Sequence, residues 1–246
     1  MKDLGVLKYF LGVEVARSPD GIFLSQHKYT LDITSETGLL GSKPASFPIE
    51  KNHSLALAKE AEFADPEQDR RLVGRLISLA FTRLDLAYTV HILAQFMQGP
   101  RQEHWDAALR VVRYLKGTTG QGILLASVFY LSLTGWCDSD WASCRLTRRS
   151  LTGWIVFLGG SPISWKTKKQ KTVSRSSAEA EYRSMAALTT KLKWLKMLLL
   201  DLGVLHYAPM TLFCYSQSVL HITQNPVFHL SRLIDIMFVM LFKMVV

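Results

Sequence analysis

Cysteine is scarce in this chain. The three present, Cys137, Cys144 and Cys214, make neither a paired disulfide framework nor a zinc-ligand spacing, so a reducing compartment is expected and the three read as small core or loop residues. No run reaches the roughly 18 consecutive apolar residues of a membrane span. The stretch closest to one, Leu233 to Val246, is short and interrupted by Asp235 and Lys243. The first residues, Met1-Lys2-Asp3-Leu4-Gly5, lack the basic-then-apolar plan of a signal peptide. The expectation is an intracellular protein, cytoplasmic or nuclear, without a membrane partner. Internal repeats and low-complexity segments are also missing. Acidic residues are the minority, 20 against 29 Lys and Arg, for a net charge of +9. Such a balance favours a polyanionic partner, nucleic acid first, although a solvated basic surface has the same composition.

What is present divides by apolar period. Tyr9, Leu11, Val13 and Val15 alternate before Ser18-Pro19-Asp20-Gly21, and Ile22-Phe23-Leu24 follow, the pattern of a hairpin with a strong turn signal. A short helix is expected over 28–37, ended by Gly38, and then an irregular linker from Pro44 to Lys59. Asp65-Pro66 supplies an N-cap with proline in the first turn. Val73, Leu76, Ile77 and Ala80 form the apolar face behind it. A second helix carries Leu86, Val90, Leu93 and Met97 up to Gly99-Pro100. The third, from Arg101 to Lys116, turns Trp105, Leu109, Val112 and Leu115 inward and sets Arg110, Arg113 and Lys116 on one side. That side suits a phosphate backbone or plain water.

From Tyr130 the period becomes that of strands: Tyr130 to Cys137, Leu151 to Leu158 and Ile163 to Lys166, with Gly159-Gly160 as a two-residue turn. Ser176, Ser177, Ala178 and Glu179 then open a long helix with capping-box spacing. Its stripe runs through Met185, Leu188, Leu192, Leu195, Leu199 and Leu202. Extended backwards, the stripe meets Glu181 and misses Glu179, which places Glu181 at the core edge, where a carboxylate is costly unless something binds it. A frayed first turn that lets Glu181 reach water is the plainer alternative. A fourth strand over Met210 to Cys214, a short helix over Ser216 to Gln224 and a break at Asn225-Pro226 follow. The whole describes helices on a mixed sheet.

Asp138 is expected at the end of the first of these strands, with Asp140 two residues on. If the long helix packs on the sheet, Asp138 and Glu181 converge, and two carboxylates suit a hard cation such as Mg²⁺. A strand-end Asp capping a turn and a helix-start Glu are the competing description.

Four segments are similar to one family: Cys137-Asp138-Ser139-Asp140-Trp141-Ala142-Ser143, Thr147-Arg148-Arg149-Ser150-Leu151-Thr152-Gly153-Trp154, Ile163-Ser164-Trp165-Lys166-Thr167-Lys168-Lys169-Gln170, and Ser176-Ser177-Ala178-Glu179-Ala180-Glu181-Tyr182-Arg183. Together they resemble the ribonuclease H domain of copia-type retrotransposon Pol polyproteins. Residues 1–50 resemble the end of the reverse transcriptase palm and a linker, and residues 51–125 the helical thumb or connection region. Residues 126–246 resemble ribonuclease H. The resemblance implies an α/β fold, a ribonuclease H-like mixed sheet with flanking helices, preceded by a β-hairpin and a small helical region. It also implies hydrolysis of the RNA strand of an RNA–DNA hybrid with Mg²⁺, or Mn²⁺ in its place, held by acids. The polymerase's paired-aspartate motif is not in this sequence. By position Asp138 matches the first acid and Glu181 the second. Tyr215 stands where the third acid should follow Cys214, and Asp235 matches the fourth only with a register shift. The lysine-rich stretch Lys166, Lys168, Lys169 and Lys171 with Arg175 is the expected phosphate contact, or else protects a sheet edge. The expectation is therefore a ribonuclease H-like protein with weak or absent cleavage, or a remnant that only binds hybrid duplex.

Overall fold

The computed structural model describes residues 5–51, 53–127, 131–217, 219 and 236–240. The chain divides into two units, Met1–Ser127 and Val128–Val246.

In the first unit, β1 (Tyr9–Phe10), β2 (Val13–Ser18) and β3 (Gly21–Ser25) precede four helices, α1 (His27–Glu36), α2 (Pro66–Leu79), α3 (Ala87–Ala94) and α4 (Gln102–Gly117). A further strand not expected from the sequence, β4 (Gly122–Ala126), returns to pair antiparallel with β3, so the sheet order is β1-β2-β3-β4. The hairpin and the helices thus share one unit. The pairing needs glycine twice: a Cβ on Gly21 would stand 2.1 Å from the Leu125 carbonyl oxygen, and one on Gly122 2.2 Å from that of Leu24. Asp65 caps α2 by accepting from the Gln68 amide at 2.9 Å. On α4 the core face is His104, Ala108, Val111, Val112 and Leu115, while Trp105 and Leu109 pack half-buried beside it. The apolar period had favoured Trp105 and Leu109. His104 displaces them because its ring is satisfied inside, Nδ1 accepting from the Arg101 amide and Nε2 bonding to the Leu55 carbonyl, both at 2.9 Å. The basic side of α4 is occupied too. Arg110 pairs with Glu50 in the linker, and Lys116 donates to the Ser42 carbonyl just before it.

The second unit contains β5 (Leu133–Asp140), β6 (Leu151–Leu158), β7 (Ser161–Lys169), α5 (Ser177–Asp201), β8 (Met210–Cys214) and β9 (Ile236–Met240). Its sheet order is β7-β6-β5-β8-β9, with β5, β6 and β7 antiparallel and β8 and β9 parallel to β5. Gly159 and Gly160 make the β6–β7 turn with φ of 56° and 84°, the left-handed values a two-residue hairpin requires. This is the expected mixed sheet with a long helix across it. Two expected strands have different limits. β5 runs on to Asp140, so Asp138 lies within the strand, and β7 runs on to Lys169, so Lys166, Lys168 and Lys169 lie on an edge strand. Both ends are rich in residues with weak strand propensity, and pairing with β6 carries them.

α5 buries Met185, Leu188, Leu192, Leu195 and Leu199 against the sheet. Leu202, expected to continue the stripe, is 70% exposed. The chain turns left-handed at Gly203 (φ 78°), and the Val204 amide bonds back to the Leu199 carbonyl at 2.8 Å, which ends the helix one residue earlier. The expected helix over Ser216 to Gln224 lies largely outside the described residues. No helix among the described residues is long and apolar enough to cross a membrane.

Candidate functional site

Two elements position the site, the C-terminal part of β5 and the first turns of α5. Ser176 caps α5 by accepting from the Glu179 amide at 3.2 Å. The Glu179 carboxylate turns back and outward, accepting from the Arg175 amide at 2.7 Å and pairing with Arg183 at 2.6 Å. Glu181, two residues on, turns to the sheet. Its Oε1 accepts from the Ser139 amide at 3.2 Å, and its Oε2 is buried with no hydrogen-bond partner.

Burial pushes the Glu181 carboxyl up to about 8, and the neighbouring Asp138 carboxylate adds to the shift. The structure therefore brings Asp138 and Glu181 together at one sheet end, Asp138 on the exposed side and Glu181 at the core edge. The stripe that contained Glu181 and excluded Glu179 carried the information that separates these two acids.

A third residue fastens this arrangement. Gln170, just beyond β7, is 9% exposed. Its Nε2 donates to Thr152 Oγ1 at 3.0 Å and to the Ala180 carbonyl at 2.9 Å, its Oε1 accepts from Ser174 at 2.9 Å, and its amide donates to the Ser150 carbonyl at 2.9 Å. One side chain thus joins β6, the connection and the first turn of α5. Sequence reasoning missed it as a positioning residue. The signal was weak: a lone amide following a run of lysines.

The remaining expected residues are distributed as follows. Tyr215 follows β8 and is 50% exposed. Asp235 lies outside the described residues. Lys166, Lys168, Lys171 and Arg175 are exposed, whereas Lys169 leans on the 141–150 loop and donates to Cys144 Sγ at 3.3 Å. Among the described residues no group of three or more His, Cys, Asp or Glu could hold a metal ion. The donor set at Asp138 and Glu181 nevertheless fits one hard cation, since Mg²⁺ commonly takes one or two carboxylates and keeps its waters. The buried, unpartnered Glu181 Oε2 is a position such an ion would satisfy.

No protein-family model matches the chain. It is 45% identical over 223 residues to the retrovirus-related Pol polyprotein from transposon RE2 of Arabidopsis thaliana, covering 91% of this chain and 15% of that protein. To the Pol polyprotein from transposon TNT 1-94 of Nicotiana tabacum it is 31% identical, covering 93% of this chain and 18% of that protein. The chain therefore spans less than a fifth of the Pol polyproteins it matches. An uncharacterized mitochondrial protein of Arabidopsis thaliana is 45% identical over 196 residues, 79% of this chain and 80% of that one. Among solved structures, the LC11 ribonuclease H1 from compost aligns over 46% of this chain and 85% of its own, at 12% identity and a TM-score of 0.35, too distant to bear on the site.

Proposed function

The chain belongs to the copia-type retrotransposon Pol family, and from that premise we propose that its second unit is a former metal-dependent ribonuclease H that retains affinity for an RNA–DNA hybrid and cleaves it weakly or not at all. In this reading residues 1–50 derive from the reverse transcriptase palm and residues 51–125 from its thumb or connection.

The observation that carries the proposal is the carboxylate pair. Glu181 keeps an unpartnered buried oxygen beside Asp138, an arrangement that is unfavourable for folding alone and favourable for holding a cation. Asp138 and Glu181 would hold Mg²⁺ or Mn²⁺, which when bound supplies charge neutralisation at a scissile phosphate and an activated water. The residues of the chain hold these acids in place. Ser139 and Gln170 position Glu181 from the strand and the helix backbone, and Ser176 and Glu179 fix the helix start.

The proposed loss lies at Tyr215. A neutral phenol gives no anionic oxygen at neutral pH, so the negative charge needed to hold two cations close together is reduced. The exposed Lys166, Lys168 and Lys171, with Arg175, supply the phosphate contacts that do not depend on the acids. They support the alternative of hybrid binding without chemistry.

The test is a labelled RNA–DNA hybrid incubated with Mg²⁺ and with Mn²⁺, comparing this chain with Asp138→Asn. The expected result is retarded hybrid and little product in both proteins. Efficient cleavage that Asp138→Asn abolishes would overturn the proposal.

A further inference from the structure

Cys137 on β5 and Cys214 on β8 are register partners in a parallel strand pair. Residues so paired project to the same face of the sheet, and neighbouring strands lie about 4.8 Å apart, within the Cα separation of about 4.4 to 6.8 Å that a disulfide spans. Both face α5 and are buried, Cys137 at 3% exposure and Cys214 at 0%. The Cys137 thiol leans over β8, donating to the Phe213 carbonyl at 3.8 Å, next to Cys214 on that strand. The Ser216 amide donates to Cys214 Sγ at 3.5 Å. Both thiols are free.

We propose that Cys137 and Cys214 are a latent disulfide that a small disulfide oxidant closes without rearrangement of the sheet. With oxidised glutathione the step balances as two exchanges. One protein thiol loses its proton and attacks the glutathione disulfide, releasing one glutathione thiolate. The second protein thiol then loses its proton and displaces the other glutathione from the mixed disulfide. The two cysteines give up two electrons, the oxidant takes them, and both protons end on the two glutathione thiols. The bond would tie β5 to β8 in the positions next to Asp138 and Tyr215. The inference does not rest on the proposed nuclease ancestry.

Cys144 stands apart on the 141–150 loop with Lys169 beside it, so a Cys144→Ser background removes the competing thiol. The full chain in that background is treated with oxidised glutathione, natively and in mild urea that opens the core transiently, then unfolded, alkylated and weighed. Both thiols are expected to be lost together, with a mass lower by two hydrogens and no glutathione adduct, and with a proteolytic fragment joining the two strands. The urea midpoint should rise on oxidation and fall again with dithiothreitol. Cys214→Ala should give only the glutathione adduct at Cys137. Two alkylatable thiols in both arms, stable adducts on each cysteine, or crosslinking between molecules would each overturn the proposal.

Discussion

The Ser184 hydroxyl of α5 donates to the backbone carbonyl of Asp138 at 2.9 Å. The helix that carries Glu181 is thereby bonded to the residue Glu181 faces. Ser184 is 0% exposed, so its removal deletes a part-buried hydrogen bond between α5 and β5. Ser184→Ala is expected to lower the stability of the second unit by about 1 to 3 kcal/mol, read as a drop in the urea midpoint. An unchanged midpoint would mean that the bond contributes nothing in solution.

Glu181 makes the unit sensitive to pH in a definite direction. Its folded carboxyl is held up to about 8 by burial and by Asp138, against 4.5 as the ordinary value. Between those values the folded state binds the extra proton. Stability is therefore full below about 4.5 and is lost as pH rises through 8. Glu181→Gln keeps an oxygen for the Ser139 amide and removes the charge, so its urea midpoint should change less between pH 5.5 and 8.5. Parallel slopes for the two proteins would refute this. Added Mg²⁺ should raise the wild-type midpoint more at pH 8.5 than at pH 5.5, because the cation competes with the proton.

Placing an acid beside Cys214 tests the proposed consequence of Tyr215. Tyr215→Asp is expected to raise hybrid cleavage with Mn²⁺ by roughly tenfold or more, which corresponds to about 1.4 kcal/mol of barrier. The fold should notice little, since Tyr215 is half-exposed and surface changes usually stay within about 0.5 kcal/mol. If the variant folds and its cleavage stays at the level of the parent, the deficiency lies elsewhere in the ligand set.

The exposed lysines give a prediction that needs no chemistry. Replacing Lys166, Lys168 and Lys171 with alanine should weaken hybrid binding for every sequence alike and reduce the slope of log affinity against log salt by about 1 per lysine that meets a phosphate. An unchanged slope would assign these residues to edge protection alone.

Much of the second unit was legible in the sequence because period and punctuation agree there. Gly159-Gly160 marked the turn, Met210 to Cys214 marked β8 to the residue, and the α5 stripe separated Glu181 from Glu179. Other features were illegible for physical reasons. The strand β4 reads Gly-Ile-Leu-Leu-Ala, without alternation, and exists through pairing with a strand about 100 residues earlier in the chain. His104 and Gln170 are polar residues buried by bonds to distant backbone, which no apolar period can show. The tyrosine at position 215 was visible at once, but its consequence depends on neighbours that lie far off in sequence.

Gly135 sits in the middle of β5, three residues before Asp138, and a Cβ there would stand 3.0 Å from two methyl carbons of Leu188 on α5. The thickness of the layer between helix and strand is thus set by a missing methyl group. Enlarging this one position would press on the Leu188 methyls by a few tenths of an ångström, at a point on α5 about two turns beyond Glu181. The packing of the helix that carries Glu181 thus depends on a residue that has no side chain.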